Sequence, residues 1–379
     1  MIVTRSWEDD NGYYRLFEAV PNVAEKRTEL SNFFFKDIIG AESLAEQPID
    51  LRNPYAFYWG HISAFSDRVA LMLPGRAPER HRFERGVDPD VDDPSKIHAH
   101  SDRVQRWPEV AEFEAYAAEV EDGLAELVAR EGPTESYLMA IEHADMHHET
   151  LMYNLSGCAR LSRVSLEERR QAAEPDDTTP RRHPFSAFAP PSNQEPRTVP
   201  RDVFVDIPSH DVSLGCNEQT LAAVGFVWDN ELPSQPSTSV PSFRLGATPV
   251  TNREFAEFVE DGGYKNAEYW ISNPVSNAVV QEGGNDAWTW LSRAGMSAPR
   301  LWDPIHEANT LGTASASATW GVRTACDGVV PMTLAGGAKD GVANAADWPA
   351  WVTLFEAAAF CEWRGSGARI MSEPEYHAV

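Results

Sequence analysis

The sequence is short of basic residues, poor in cysteine and without long apolar runs. Its 32 lysines and arginines face 58 aspartates and glutamates, for a formal net charge of -26. Nucleic-acid backbones and anionic lipid surfaces are bound through a surplus of cations, so this balance argues against both as partners. The four cysteines, Cys158, Cys216, Cys326 and Cys361, are far apart and form no CxxC pair. That spacing argues against a disulfide framework and points to a reducing compartment, the cytoplasm. No apolar run approaches the roughly 20 residues of a membrane span. The opening MIVTRSWEDDNGYYRLF carries acids where a secretory signal needs an apolar core.

What is present suffices for two domains, since 379 residues are 42% hydrophobic and can bury real cores. Helical periodicity runs through residues 19–35, 54–73, 110–130 and 135–155. Four such segments predict a four-helix bundle over residues 1–163. Ser31, Asn32 and Asp50 are candidate caps. Residues 164–200, with EPDDTTPRRHPFSAFAPPSNQEPRTVP, are rich in proline and charge and lack periodicity, as a linker does. Residues 201–379 show short strands, glycine turns and many tryptophans, the texture of an α+β domain with long loops. Strands are predicted at 202–208 and 239–245, and short helices at 252–261 and 354–364.

The strongest local signal is IEHADMHHETLMYNL, residues 141–155. His143 and His147 are four apart on a predicted helix, so their imidazoles share one face and can hold one ion. A third histidine, His61, stands in FYWGHISAF among apolar and aromatic neighbours that predict an inward face. Bundles build metal sites from facing helices, so His61, His143 and His147 can meet at one ion. HxxxH pairs also arise by chance on helices. There is no HExxH zinc signature, because Ala144 stands where that motif needs its glutamate. His148 reads as a solvated neighbour, and His98 and His100 as a structural loop pair. Three neutral imidazoles suit Fe(II), zinc or copper alike. Glu149 is a candidate to orient a ligating imidazole from behind, and Glu142 reads as a surface carboxylate.

The histidine helix and GHISAF resemble the DinB-like domain of the ergothioneine-biosynthesis sulfoxide synthases. FERGVDPDVDDPSKIHAHS, residues 83–101, is similar to the loop between that domain's second and third helices. FRLGATPVTNREFAEFVEDGGYKNAEYW, residues 243–270, resembles the opening of a formylglycine-generating-enzyme-like, or sulfatase-modifying, domain with a C-type-lectin-like α+β fold. VGFVWDNELP and the final FEAAAFCEWRGSGARIMSEPEYHAV agree with it, the latter through Arg369-Ile370-Met371-Ser372-Glu373-Pro374-Glu375-Tyr376. The cysteines do not match the pair used in formylglycine synthesis, which argues against that activity.

The resemblance implies Fe(II) held by His61, His143 and His147, and an O2-dependent reaction. It joins a thiol, cysteine or γ-glutamylcysteine, to C2 of the imidazole of hercynine as a sulfoxide. The loop after the second helix leans toward cysteine by its likeness to fungal-type members. Met146 stands where bacterial-type members often carry glutamine. Histidine–cysteine sulfoxide synthases of the ovothiol type and selenoneine synthases share both domains. A DinB-type zinc thiol transferase and a non-catalytic binding module are further alternatives. The trimethylammonium group asks for an aromatic pocket. Trp59, Trp228, Trp270, Trp288 and Trp290 are available for it, though such tryptophans are more often core. The family's C-terminal domain continues beyond the segment ending here at Val379, so its catalytic acid is expected outside this chain, and a truncated chain is expected to lack normal activity.

Overall fold

The computed structural model describes residues 23–48, 52–84, 107–158, 202–281, 284–305, 320–325, 328–332 and 344–379. Asp50, His98, His100, Cys326, the expected linker and most of the 83–101 loop lie outside the described residues. The chain forms two compact units. One holds the helical N-terminal half together with Gly215–Ser234; the other holds the remaining C-terminal residues.

In the first unit α1 (Val23–Asn32) runs on in wider turns through Phe33–Ile39. Likewise α2 (Tyr55–Ser66) continues through Asp67–Leu71. The short α3 (Ala77–Phe83) precedes α4 (Val110–Glu131) and α5 (Glu135–Gly157). The four long segments pack on one another. Local chemistry sets their ends. Glu109 and Glu112 form a reciprocal capping box on α4, and Gly132, at φ 77°, ends it. Thr134 Oγ1 accepts from the Tyr137 N–H at 3.2 Å and starts α5, a cap worth about 1 kcal/mol.

The expected caps at Ser31 and Asn32 are corrected: the helical path passes through both residues into the wide turns, and Asn32 caps nothing. A three-ring stack ties the helices together. Trp59 lies flat between Phe35 and Phe113, with centroids 5.2 and 5.1 Å away. Trp59 is therefore part of the core, as is Trp270 in the second unit. At the end of α2 the buried Asp67 accepts from Leu73 N–H at 2.6 Å, Arg80 Nη1 at 2.7 Å and Tyr116 O–H at 2.8 Å. A buried carboxylate satisfied this fully pins α2, α3 and α4 at one point.

The second unit is α+β with small antiparallel sheets. β1 (Phe204–Ile207) pairs with β4 (Phe243–Gly246), and β2 (His210–Val212) with β3 (Thr238–Val240). The single strand expected at 239–245 is thus two strands in different sheets. Pro241 lies between them and has no N–H to continue a ladder. β5 (Trp302–Pro304), β6 (Trp320–Arg323) and β7 (Val329–Met332) make the third sheet. Its core gathers Phe255 and Phe258 with Trp270, Trp302 and Phe360. Phe255 and Phe258 come from Asn252–Glu260, and Phe360 from Leu354–Arg364, the two short helices read in the sequence. Each begins at a threonine capping box, Thr251 with Glu254 and Thr353 with Glu356.

Candidate metal centre

The three histidines converge. His61 comes from α2, and His143 and His147 from successive turns of one face of α5. One ligand nitrogen from each lies within 4.8 Å of the others. The ring centroids form a near-equilateral triangle, 4.9 Å from His61 to His143, 4.9 Å from His61 to His147 and 4.4 Å across the pair. His143 Nε2 and His147 Nε2 are 3.1 Å apart. That separation suits two nitrogens sharing one ion at about 2.0–2.1 Å from each.

Second contacts orient the rings. His61 Nδ1 donates to the Phe83 carbonyl at 2.6 Å. This fixes the tautomer and leaves Nε2 with its lone pair. Phe65 stacks on His143 at 3.6 Å between centroids and Phe57 on His61 at 5.1 Å, while the Tyr58 ring lies 5.7 Å from His147. Sequence reasoning did not single out these aromatics, although their spacing around His61 on one helix carries the signal.

The electrostatics favour neutral donors. Burial, with the neighbouring imidazoles of His147 and His61, lowers the His143 pKa to about 2. Burial, His61 and Arg52 lower that of His147 to about 3. Both rings are uncharged at neutral pH and present lone pairs. His143 Nδ1 and His147 Nδ1 are buried without a partner among the described residues. Three converging imidazoles in an aromatic shell, two of them kept neutral by burial, fit a divalent transition metal.

Two neighbouring residues are placed otherwise than expected. His148 is no solvated neighbour: it is buried, and its Nε2 shares a 2.7 Å hydrogen bond with Ser31 Oγ. One residue beyond His147 turns a side chain about 100° round a helix, so His148 faces α1 instead of the triad. Burial first, then Arg27 and His147, lowers its pKa to about 3. Glu149 does not back a ligand. It stands two residues past His147, on another face of α5, exposed and without a hydrogen bond to an imidazole among the described residues. The contact from behind belongs to Phe83.

Residues 189–378 match the family model of the sulfatase-modifying factor enzyme 1-like domain. Over 266 residues the chain is 30% identical to the protein named ergothioneine biosynthesis protein 1 of Neurospora crassa, a stretch covering 64% of this chain and 28% of that protein. The protein of the same name from Schizosaccharomyces pombe is 26% identical over 60% of this chain and 31% of its own length. Hercynine oxygenase of Mycolicibacterium thermoresistibile is 30% identical over 41% of this chain and 26% of its own length. The chain spans less than a third of each of these relatives.

Proposed function

Because the chain belongs to the sulfatase-modifying factor enzyme 1-like family, in its ergothioneine sulfoxide synthase branch, we propose that it takes part in the oxidative step of ergothioneine biosynthesis. In this reading the helical half, residues 1–163, is a DinB-like bundle, residues 164–200 a linker and residues 201–379 the sulfatase-modifying-type domain. His61, His143 and His147 hold Fe(II), hercynine and a thiol are the substrates, and the enzyme works in the cytoplasm. The observation that carries the reading is the meeting of three imidazoles from two helices in a chain with this second domain.

The overall change balances without an external reductant. The hercynine C2–H and the thiol S–H are lost and a C–S bond forms. One oxygen atom of O2 goes to sulfur and the other leaves as water. A bound iron would supply a place where a thiol is deprotonated and O2 is activated. The chain's own residues keep the donors ready for it. The Phe83 carbonyl holds the proton of His61 on Nδ1, so the lone pair is on Nε2. Burial keeps His143 and His147 unprotonated. Phe57 covers the His61 ring and Phe65 the His143 ring.

The test is the mass of the product. Full-length protein loaded anaerobically with Fe(II), then given O2, hercynine and either cysteine or γ-glutamylcysteine, is expected to form a sulfoxide-linked adduct. His147→Ala removes a ligand and should abolish it. Adduct formation from plain histidine with hercynine ignored would instead assign the ovothiol-type reaction. Thiol transfer with zinc and without O2 would assign the transferase.

A further inference from the structure

Arg52 precedes α2 and has no acid to pair with among the described residues. In a chain of net charge -26 most of the described arginines do find an acid. Arg27 pairs with Asp145, Arg76 with Glu119, Arg80 with Asp67, Arg253 with Asp347 and Arg369 with Glu375. The Arg52 guanidinium meets neutral hydroxyls instead. Its Nη2 donates to Tyr153 Oη at 3.5 Å. It also lies against Tyr58, whose pKa burial pushes up while the nearby Arg52 charge and side chain oppose the rise. The Tyr58 ring is the one packed beside His147. One tyrosine side chain therefore separates Arg52 from the triad.

α2 and α5 run antiparallel here. Arg52 meets Tyr153 at one end, and His61 meets His143 and His147 further along. At the Arg52 end two more amide donors are buried without a partner among the described residues. They are Asn53 Nδ2, next to Arg52 in sequence, and Asn154 Nδ2, next to Tyr153. Asn154 is seven residues from His147, two helical turns along the same face. Buried donors without acceptors cost stability unless something supplies an acceptor. Arg52 itself is only partly buried and so stays open to a ligand.

We propose that Arg52 is a substrate-binding residue that takes the carboxylate of an amino-acid substrate whose reactive end lies at the His61, His143 and His147 triad. A guanidinium is the side chain best suited to a carboxylate, because its planar fork matches two oxygens. Tyr58 and Tyr153 hold the fork without neutralising it, which an aspartate or glutamate would do. The inference rests on the substrate reading above for the identity of the acid. Hercynine and cysteine both carry the required carboxylate, and the experiment separates them.

The test follows the Arg52 Nε–H resonance in the full chain labelled with 15N-arginine and assigned through Arg52→Lys. The probes are formate, hercynine, hercynine carboxamide, cysteine and cysteinamide. Formate and one of the two acids are expected to move the resonance, and the matching amide to leave it in place. In turnover by the full-length protein, Arg52→Gln should raise KM for that acid about 10- to 100-fold, the loss of a charged hydrogen-bond pair, with a smaller change in kcat. Arg52→Lys should recover part of the loss, and metal content should stay the same in both variants. If formate and both acids leave the resonance unmoved, the carboxylate site is overturned whether or not the enzyme turns over. If formate moves it and neither acid does, the anion site stands, and the hercynine and cysteine reading falls instead.

Discussion

A methyl group at position 60 would have nowhere to go. A Cβ built on Gly60 comes within 2.5 Å of Phe83 Cζ and 2.6 Å of its Cδ1 and Cδ2, so the whole Phe83 ring lies over that glycine. Phe83 is buried among Phe57, Trp107 and Phe113, and its carbonyl fixes the tautomer of His61. Alanine is the better helix former by about 1 kcal/mol, which pulls the other way. Overpacking a closed core costs about 1–3 kcal/mol and decides the sign. Gly60→Ala is therefore expected to lower stability and weaken metal binding together, measured by urea unfolding and by competition with a chelator. Unchanged metal affinity in a destabilised variant would separate the Phe83 contact from the orientation of His61. That His143 and His147 share a face was legible from their i,i+4 spacing, and the inward face of His61 from its apolar and aromatic neighbours. His148 was not, because which neighbour a residue one step further round the helix meets depends on where α1 packs.

At the scale of helices, two polar contacts join α1 and α5 among the described residues. They are the buried His148–Ser31 hydrogen bond and the Arg27–Asp145 ion pair. The first has a pH signature. Above about pH 6.5 the His148 ring is neutral in both folded and unfolded chains, and no dependence arises. Below it the unfolded chain takes up a proton that the buried ring refuses until about pH 3, so stability falls with pH over that window. One such group contributes about 1.4 kcal/mol per pH unit at its steepest. Metal-free His148→Gln should accordingly show a shallower loss of stability between pH 6.5 and 4 than the parent. Equal slopes in urea unfolding would mean that His148 takes up its proton in the folded state. The helices were readable because apolar residues recur every three or four positions, and four of the expected segments return within a few residues. The break at Pro241 was written in the sequence as well, but the alternation on both sides of it masked the change of sheet. The Ser31 and Asn32 caps failed because the helical path continues into wide turns, where apolar packing of Phe33, Phe34 and Phe35 outweighs the local preference for a cap.

For the whole molecule the dominant fact is charge. A net -26 makes the folded chain repel itself, and salt screens that repulsion over about 10 Å at 0.1 M. Thermal unfolding is expected to move to higher temperature between low salt and about 0.15 M NaCl. A fall would show that the exposed arginine–acid pairs outweigh the self-repulsion. Long helices come first along the chain and small sheets after, as the change of texture in the sequence led one to expect. Residues 85–101 of the 83–101 loop and the linker lie outside the described residues, so their reading rests on sequence alone. The central claim is that His61, His143 and His147 act together on one iron. The most direct measurement is elemental analysis of protein reconstituted anaerobically with Fe(II), beside the His61→Ala, His143→Ala and His147→Ala variants. The account predicts about one iron per parent chain and a large loss in each variant. Full iron retention by the variants, or zinc in place of iron in the parent, would contradict it.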